Sequence, residues 1–147
     1  MDRYIEFILN HYILVLAFAV VTYLLVQEII DSIVNKARPI SPLSLVAKMN
    51  NDDVVIIDVR EAPEFVDSHI EQAINIPLSK FKDELPKLEK YKTNSVIITC
   101  QNGARSASAG RQLTKAGFSK IYSLTGGMTA WEEEYKLPVT LKNKKKN

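Results

Sequence analysis

The chain has 147 residues, room for one domain of ordinary size and an appendage. Its 19 Lys and Arg nearly balance 17 Asp and Glu, and a formal charge of +2 is too small to suggest nucleic-acid binding. A single cysteine, Cys100, excludes an internal disulfide and a cysteine-rich metal cluster, while His11 and His69 are too far apart in sequence to suggest zinc. An unpaired thiol suits a reducing compartment.

Residues 7–26, FILNHYILVLAFAVVTYLLV, contain no side chain fully charged at neutral pH. As a helix they extend about 30 Å, the thickness of a hydrocarbon core. Asn10, His11 and Thr22 fall toward the ends, where polar groups cost less. Ala17-Phe18-Ala19 resembles a signal-peptidase site, but Asp2, Arg3 and Glu6 precede it and apolar residues continue past it. A buried core helix of a soluble domain is the other reading, disfavoured because the stretch is long and apolar all round. The stretch is therefore expected to be one uncleaved transmembrane helix. Lys36, Arg38 and Lys48 follow it and only Arg3 precedes it, so the positive-inside rule places the carboxy-terminal domain in the cytoplasm, at the inner membrane if the cell is bacterial. Residues 27–40 extend this helix, which ends near Arg38-Pro39; residues 1–38 form the anchor.

The soluble domain is expected over residues 41–139. Ser41 caps a short helix that has Pro42 at its first position and runs to about Met49. Strands are expected at 53–58, 73–76, 95–99 and 121–124, each a short apolar run without alternation. Helices are expected at 79–88, broken at Pro86, at 105–116, stopped by Gly117, and at 128–135 after Gly126-Gly127. Non-alternating strands separated by helices indicate an α/β fold, a parallel sheet covered on both faces. Residues 140–147, with Lys142, Lys144, Lys145 and Lys146, are expected to be a disordered basic tail; binding to anionic lipid is the alternative.

Cys100 falls between an expected strand and an expected helix, at the carboxyl edge of the sheet where ligands of such folds bind. Gly103 permits a tight turn, and the loop amides can converge on one point with a helix amino end behind them. Such surroundings favour the thiolate, the nucleophilic form. The opposing reading is a small buried residue at a strand end. An enzyme requires a thiol that water can reach.

Cys100-Gln101-Asn102-Gly103-Ala104-Arg105-Ser106 resembles the active loop of the rhodanese family, C-x-x-G-x-R-S/T. Ile57-Asp58-Val59-Arg60-Glu61, Glu64-Phe65, His69-Ile70, Ala73 and Asn75-Ile76-Pro77 are similar to a second family signature, and Leu124-Thr125-Gly126-Gly127-Met128 with Trp131 to its closing segment. Ser68 and Gln72 stand where that family usually has glycine. The resemblance implies a rhodanese fold and sulfur transfer without metal or organic cofactor. Cys100 would take sulfur from a small anionic donor such as thiosulfate, becoming a persulfide, and pass it to a thiol or a partner protein. The loop amides of Gln101, Asn102, Gly103, Ala104 and Arg105 would stabilise the persulfide. Arg105 would bind the donor or pair with a carboxylate. Asp58 would support the site through hydrogen bonds, and Arg60 would reach the pocket rim or solvent. Ser106 would cap the helix or bond a loop amide, His69 would steady its turn, and Trp131 would be core. Cysteine-dependent phosphatases place arginine six positions after the cysteine; here it is five, a smaller cradle. A protein-binding module with an idle pocket is the other reading.

Overall fold

A computed structural model describes residues 11–34, 37–51 and 53–141, without the side chains of 31–34. Asn10 and the lysine run beyond Leu141 lie outside the described residues. The chain divides into two compact units, the first ending at Val34.

The first unit contains helix α1, Tyr12–Val34. Within it Tyr12–Ile30 has a mean hydropathy of 2.4, and none of its residues is buried. Two polar side chains bond along the helix: the Thr22 hydroxyl donates to the Phe18 carbonyl at 2.8 Å, and Gln27 Nε2 donates to the Tyr23 hydroxyl at 2.9 Å.

The second unit is an α/β domain. In chain order it comprises β1 Arg38–Ile40, α2 Pro42–Asn51, β2 Val54–Asp58, α3 Ala62–Asp67, β3 Ser68–His69, β4 Ile74–Asn75, α4 Phe81–Leu88, β5 Ser95–Thr99, α5 Ala104–Lys115, β6 Ile121–Leu124, α6 Gly127–Thr129 running into a π-helical turn Ala130–Glu134, and β7 Thr140–Leu141. Five strands form a parallel sheet in the order β1-β6-β5-β2-β4. β3 and β7 pair antiparallel in a separate ribbon.

The register explains the apolar runs. Ile56 lies beside Ile97, and Ile57 beside Ile98. Successive side chains point to opposite faces, so the apolar residues of β2 and β5 meet one core or the other. Ile57, Val96 and Ile98 pack with Phe81 and Leu88 of α4 and with Ala109 and Leu113 of α5. Ile56, Ile97 and Leu124 pack with Leu45 of α2, Met128 and Trp131. The same alternation carries Cys100, two residues beyond Ile98, onto the α4–α5 face.

Four expectations change. Arg38–Ile40, assigned to the anchor and linker, is an edge strand of the sheet paired with β6. Pro39 is tolerated there because an edge strand leaves one side of its backbone unpaired. Thr140 and Leu141, expected to belong to a disordered tail, pair with His69 and Ser68. α4 continues through Pro86, which stands two residues before its end; a 3₁₀ turn, Glu89–Tyr91, follows. The six-residue α3 has no counterpart among the expected elements; its apolar pattern is too short to register, but Glu61 and Glu64 close its first turn as a capping box.

Other local readings match the backbone. Ser41 Oγ accepts the Ser44 N–H at 3.2 Å at the start of α2. Gly117, at φ 90°, ends α5 with the Gly117 and Phe118 N–H groups donating to Thr114 and Leu113 carbonyls. Gln72 holds φ 65°, so the left-handed turn persists although the residue is not glycine. Ser68 is extended at φ −158°, a conformation open to any residue.

Candidate active site

Cys100 leaves the carboxyl end of β5 and enters a three-residue turn. Gly103 closes the turn at φ 100° as the N-cap of α5. That left-handed geometry aims its N–H at the sulfur: Gly103 N donates to Cys100 Sγ at 3.1 Å. The Ala104 N–H is diverted to Asn102 Oδ1, at 3.2 Å, so it stabilises the turn and not the sulfur.

A glycine pair fixes the other side of the loop. Gly126 and Gly127 have φ 71° and 58°. The backbone after them donates back, Met128 N to the Cys100 carbonyl at 2.8 Å and Thr129 N to the Gln101 carbonyl at 3.0 Å. Gln101 adds side-chain ties: its Nε2 donates to Thr129 Oγ1 at 3.1 Å and its Oε1 accepts from Arg60 Nη1 at 3.3 Å.

Asp58, the last residue of β2, is fully buried, and Arg60 is 3% exposed. The Asp58 carboxylate accepts from the Arg60 main chain at 2.9 Å, from Nε at 3.0 and 3.1 Å and from Nη2 at 2.7 Å. Arg60 Nη2 also donates to the Ser68 carbonyl at 2.6 Å. Asn75 Nδ2 donates to the carbonyls of Asp58 and Arg60. A buried pair is tolerable only when wired in this way. Arg60 is thus neither at the pocket rim nor in solvent, as the sequence had suggested; it is an internal tie between the ends of β2 and β3 and the Cys100 loop.

Arg105 donates to Glu64 through both terminal nitrogens, at 2.9 and 3.0 Å. This is the carboxylate-pairing arrangement. The Glu64 hydrogen bond raises the Arg105 pKa most, burial opposes, and the charges of Glu64 and Cys100 add to the rise. The same bond holds the Glu64 carboxyl below its ordinary 4.5. Its contribution to stability is therefore complete above about pH 4.5 and is lost as pH falls through the depressed value. Both side chains are 35% exposed, which limits the pair to about 1 kcal/mol or less. In urea titrations from pH 7 to pH 3, the stability gap between wild type and Glu64→Gln is expected to shrink with falling pH. A gap that stays constant would remove the pair from the account of loop stability.

Ser106 does not cap α5. It lies in the third helical position, fully buried, and its hydroxyl has no hydrogen-bond partner among the described residues. His69 Nδ1 lies 2.7 Å from the Phe65 carbonyl and its ring stacks on Phe65 at 4.0 Å, which steadies the turn into β3. Trp131 is 2% exposed, with Nε1 donating to the Pro138 carbonyl at 3.0 Å. No group of three or more His, Cys, Asp and Glu among the described residues could hold a metal.

Cys100 has no exposed surface. This departs from the water-accessible thiol that the sequence reading required. The four ties between residues 100–101 and the 126–129 turn and Arg60 draw the loop onto the sheet, and the sulfur sits beneath it in the α4–α5 core. Glu64, Asn75, Thr129 and the side chain of Gln101 have positions at the site to which sequence reasoning assigned no role. Glu64 stood within a quoted motif, but only the fold brings it to Arg105, 41 positions away.

A family model described as the Rhodanese-like domain matches residues 41–134. The chain belongs to the rhodanese-like family. Among rhodanese-like relatives, a protein named thiosulfate sulfurtransferase GlpE from Coxiella burnetii is 31% identical over 98 residues, 67% of this chain and 90% of that protein. A protein of Synechocystis sp. is 38% identical over 105 residues; the match covers 71% of this chain but only 57% of that protein. Escherichia coli YibN is 28% identical over 135 residues, 91% of this chain and 94% of YibN, so the likeness extends into α1. The crystal structure of a rhodanese-related protein from Thermoplasma volcanium superposes with a TM-score of 0.64 at 32% identity, covering 71% of this chain and 98% of that one.

Proposed function

We propose that this chain is a membrane-anchored sulfurtransferase that carries sulfur on Cys100. The observation that supports it best is the Gly103 N–H held 3.1 Å from Sγ, a donor placed to stabilise negative charge on sulfur. The sulfurtransferase name of the Coxiella relative agrees.

In the first step the Cys100 thiolate attacks the outer sulfur of a donor such as thiosulfate. A new S–S bond forms, the donor's S–S bond breaks, and sulfite leaves with the electron pair. In the second step an acceptor nucleophile takes the outer sulfur and the thiolate returns. Cyanide serves in the assay; a thiol or partner protein serves in the cell. Arg105, once turned from Glu64, pairs with the anionic donor. Because Cys100 is covered, the cycle includes an opening of residues 101–103 that admits the donor. α1 spans the membrane, with the domain on the cytoplasmic side.

The covered thiol and the occupied Arg105 favour a second reading, a tethered protein-binding module without turnover. One experiment separates the two. Carbonate-washed membranes containing the full chain are treated with thiosulfate alone, for the intact mass of the protein, and with thiosulfate and cyanide together, for turnover. Thiocyanate formation in the pellet and a gain of one sulfur atom are expected, both lost in Cys100→Ser. No sulfur gain and no rate above background would leave the binding module; activity in the supernatant would remove the anchor.

A further inference from the structure

The edge of the sheet opposite the Cys100 loop carries a basic hollow. A cavity of about 520 Å³ is lined by Arg38, Lys48, Asp53, Thr93, Lys120 and Tyr122, together with Asn94 and Ser95. Arg38 begins β1, Asp53 precedes β2, Ser95 begins β5 and Lys120 precedes β6. The lining thus gathers at the amino ends of four parallel strands. Cys100 lies at the carboxyl end of β5, about 16 Å away at 3.3 Å per strand residue.

Three cations from three separate elements face one hollow, against one carboxylate among the described lining residues. Two of them are oriented by the fold. The Lys48 ammonium lies 5.2 Å from the centre of the Tyr122 ring, and Lys120 Nζ lies 3.5 Å from the Thr93 carbonyl. Like charges gathered in a concave site raise the local concentration of anions. A planar guanidinium matches two oxygens of an oxyanion, and ammonium groups add point charge. In the sequence, Arg38 is the fourth residue after the end of α1 at Val34.

We propose that this cleft binds a phosphate group, carried by an anionic lipid headgroup or present as free phosphate. The site shares no residue with the Cys100 loop and does not depend on sulfur transfer. The test is calorimetric titration of the full chain in nonionic detergent with dioctanoyl phosphatidylglycerol, dioctanoyl phosphatidylcholine and inorganic phosphate. Saturable binding of the glycerol lipid, of phosphate, or of both is expected, with phosphatidylcholine silent. Lys120→Gln and Lys48→Gln are each expected to weaken it at least fivefold, whereas Lys115→Gln on α5 leaves it unchanged. Binding of the lipid alone identifies the headgroup as the source, and binding of phosphate alone identifies free phosphate; equal binding of both shows that the cleft takes the phosphate group from either. Absence of saturable binding, binding insensitive to both cleft substitutions, or equal binding of phosphatidylcholine overturns the proposal.

Discussion

Gly127→Ala is expected to lower the stability of the domain by about 3 kcal/mol or more, with a fall in the unfolding midpoint of more than about 10 °C. Two costs combine. The backbone at Gly127 is left-handed, φ 58°, which costs an L-residue roughly 1–2 kcal/mol. A Cβ there would also meet main chain: the Cys100 carbonyl oxygen, the Gln101 oxygen at 2.7 Å and the Gln101 carbonyl carbon at 2.8 Å. None of these is a flexible side-chain tip that can turn aside. Relief requires moving the Cys100 loop off the 126–129 turn, which breaks the bonds from Met128 N and Thr129 N. Gly103→Ala is the matched control, because Gly103 is also left-handed, at φ 100°, but a Cβ there meets nothing within 4 Å. Trp131 fluorescence during thermal unfolding reads both variants. If Gly127→Ala costs no more than Gly103→Ala, the close approach of the two loops is not what holds Cys100 in place.

The strands most easily read from the sequence were those with the strongest physical cause. Ser95–Thr99 and Ile121–Leu124 have the observed bounds, and Val54–Asp58 differs by one residue, because strands buried on both faces need apolar residues throughout. β1 was not legible: three residues containing a proline carry no periodic signal, and their pairing with β6 exists only after β6 has been placed. The β3–β7 ribbon, two residues a side, is similarly set by tertiary contact. The position of Cys100 at a strand-to-helix turn followed from local pattern. Its burial did not, since what covers it comes from Gly126–Thr129 and Arg60, distant in sequence. The role of Arg60 was hidden for the same reason. A charged residue two positions after a strand end reads as exposed until its carboxylate partner is seen to be the strand's own last residue.

Loss of the Asp58 carboxylate is expected to be the other large effect. Asp58→Asn keeps the volume and an acceptor oxygen but removes the negative charge beside a guanidinium that is 3% exposed. An uncompensated buried charge costs about 3–5 kcal/mol. Arg60 cannot escape to water without abandoning the Ser68 carbonyl at 2.6 Å and the Gln101 side chain at 3.3 Å. The damage should therefore pass from the end of β2 into the Cys100 loop. Arg60→Met, which removes the cation instead, leaves the Asp58 carboxylate stranded and is expected to be comparably costly. The double substitution removes both charges from the interior and should be less destabilised than the sum of the two singles, with a coupling of about 2 kcal/mol or more, because each partner's penalty arises from the other being left alone. Urea unfolding of the four proteins closes this cycle. Strict additivity would mean that Asp58 and Arg60 act separately, and the loop would then have to be positioned by the 126–129 turn alone.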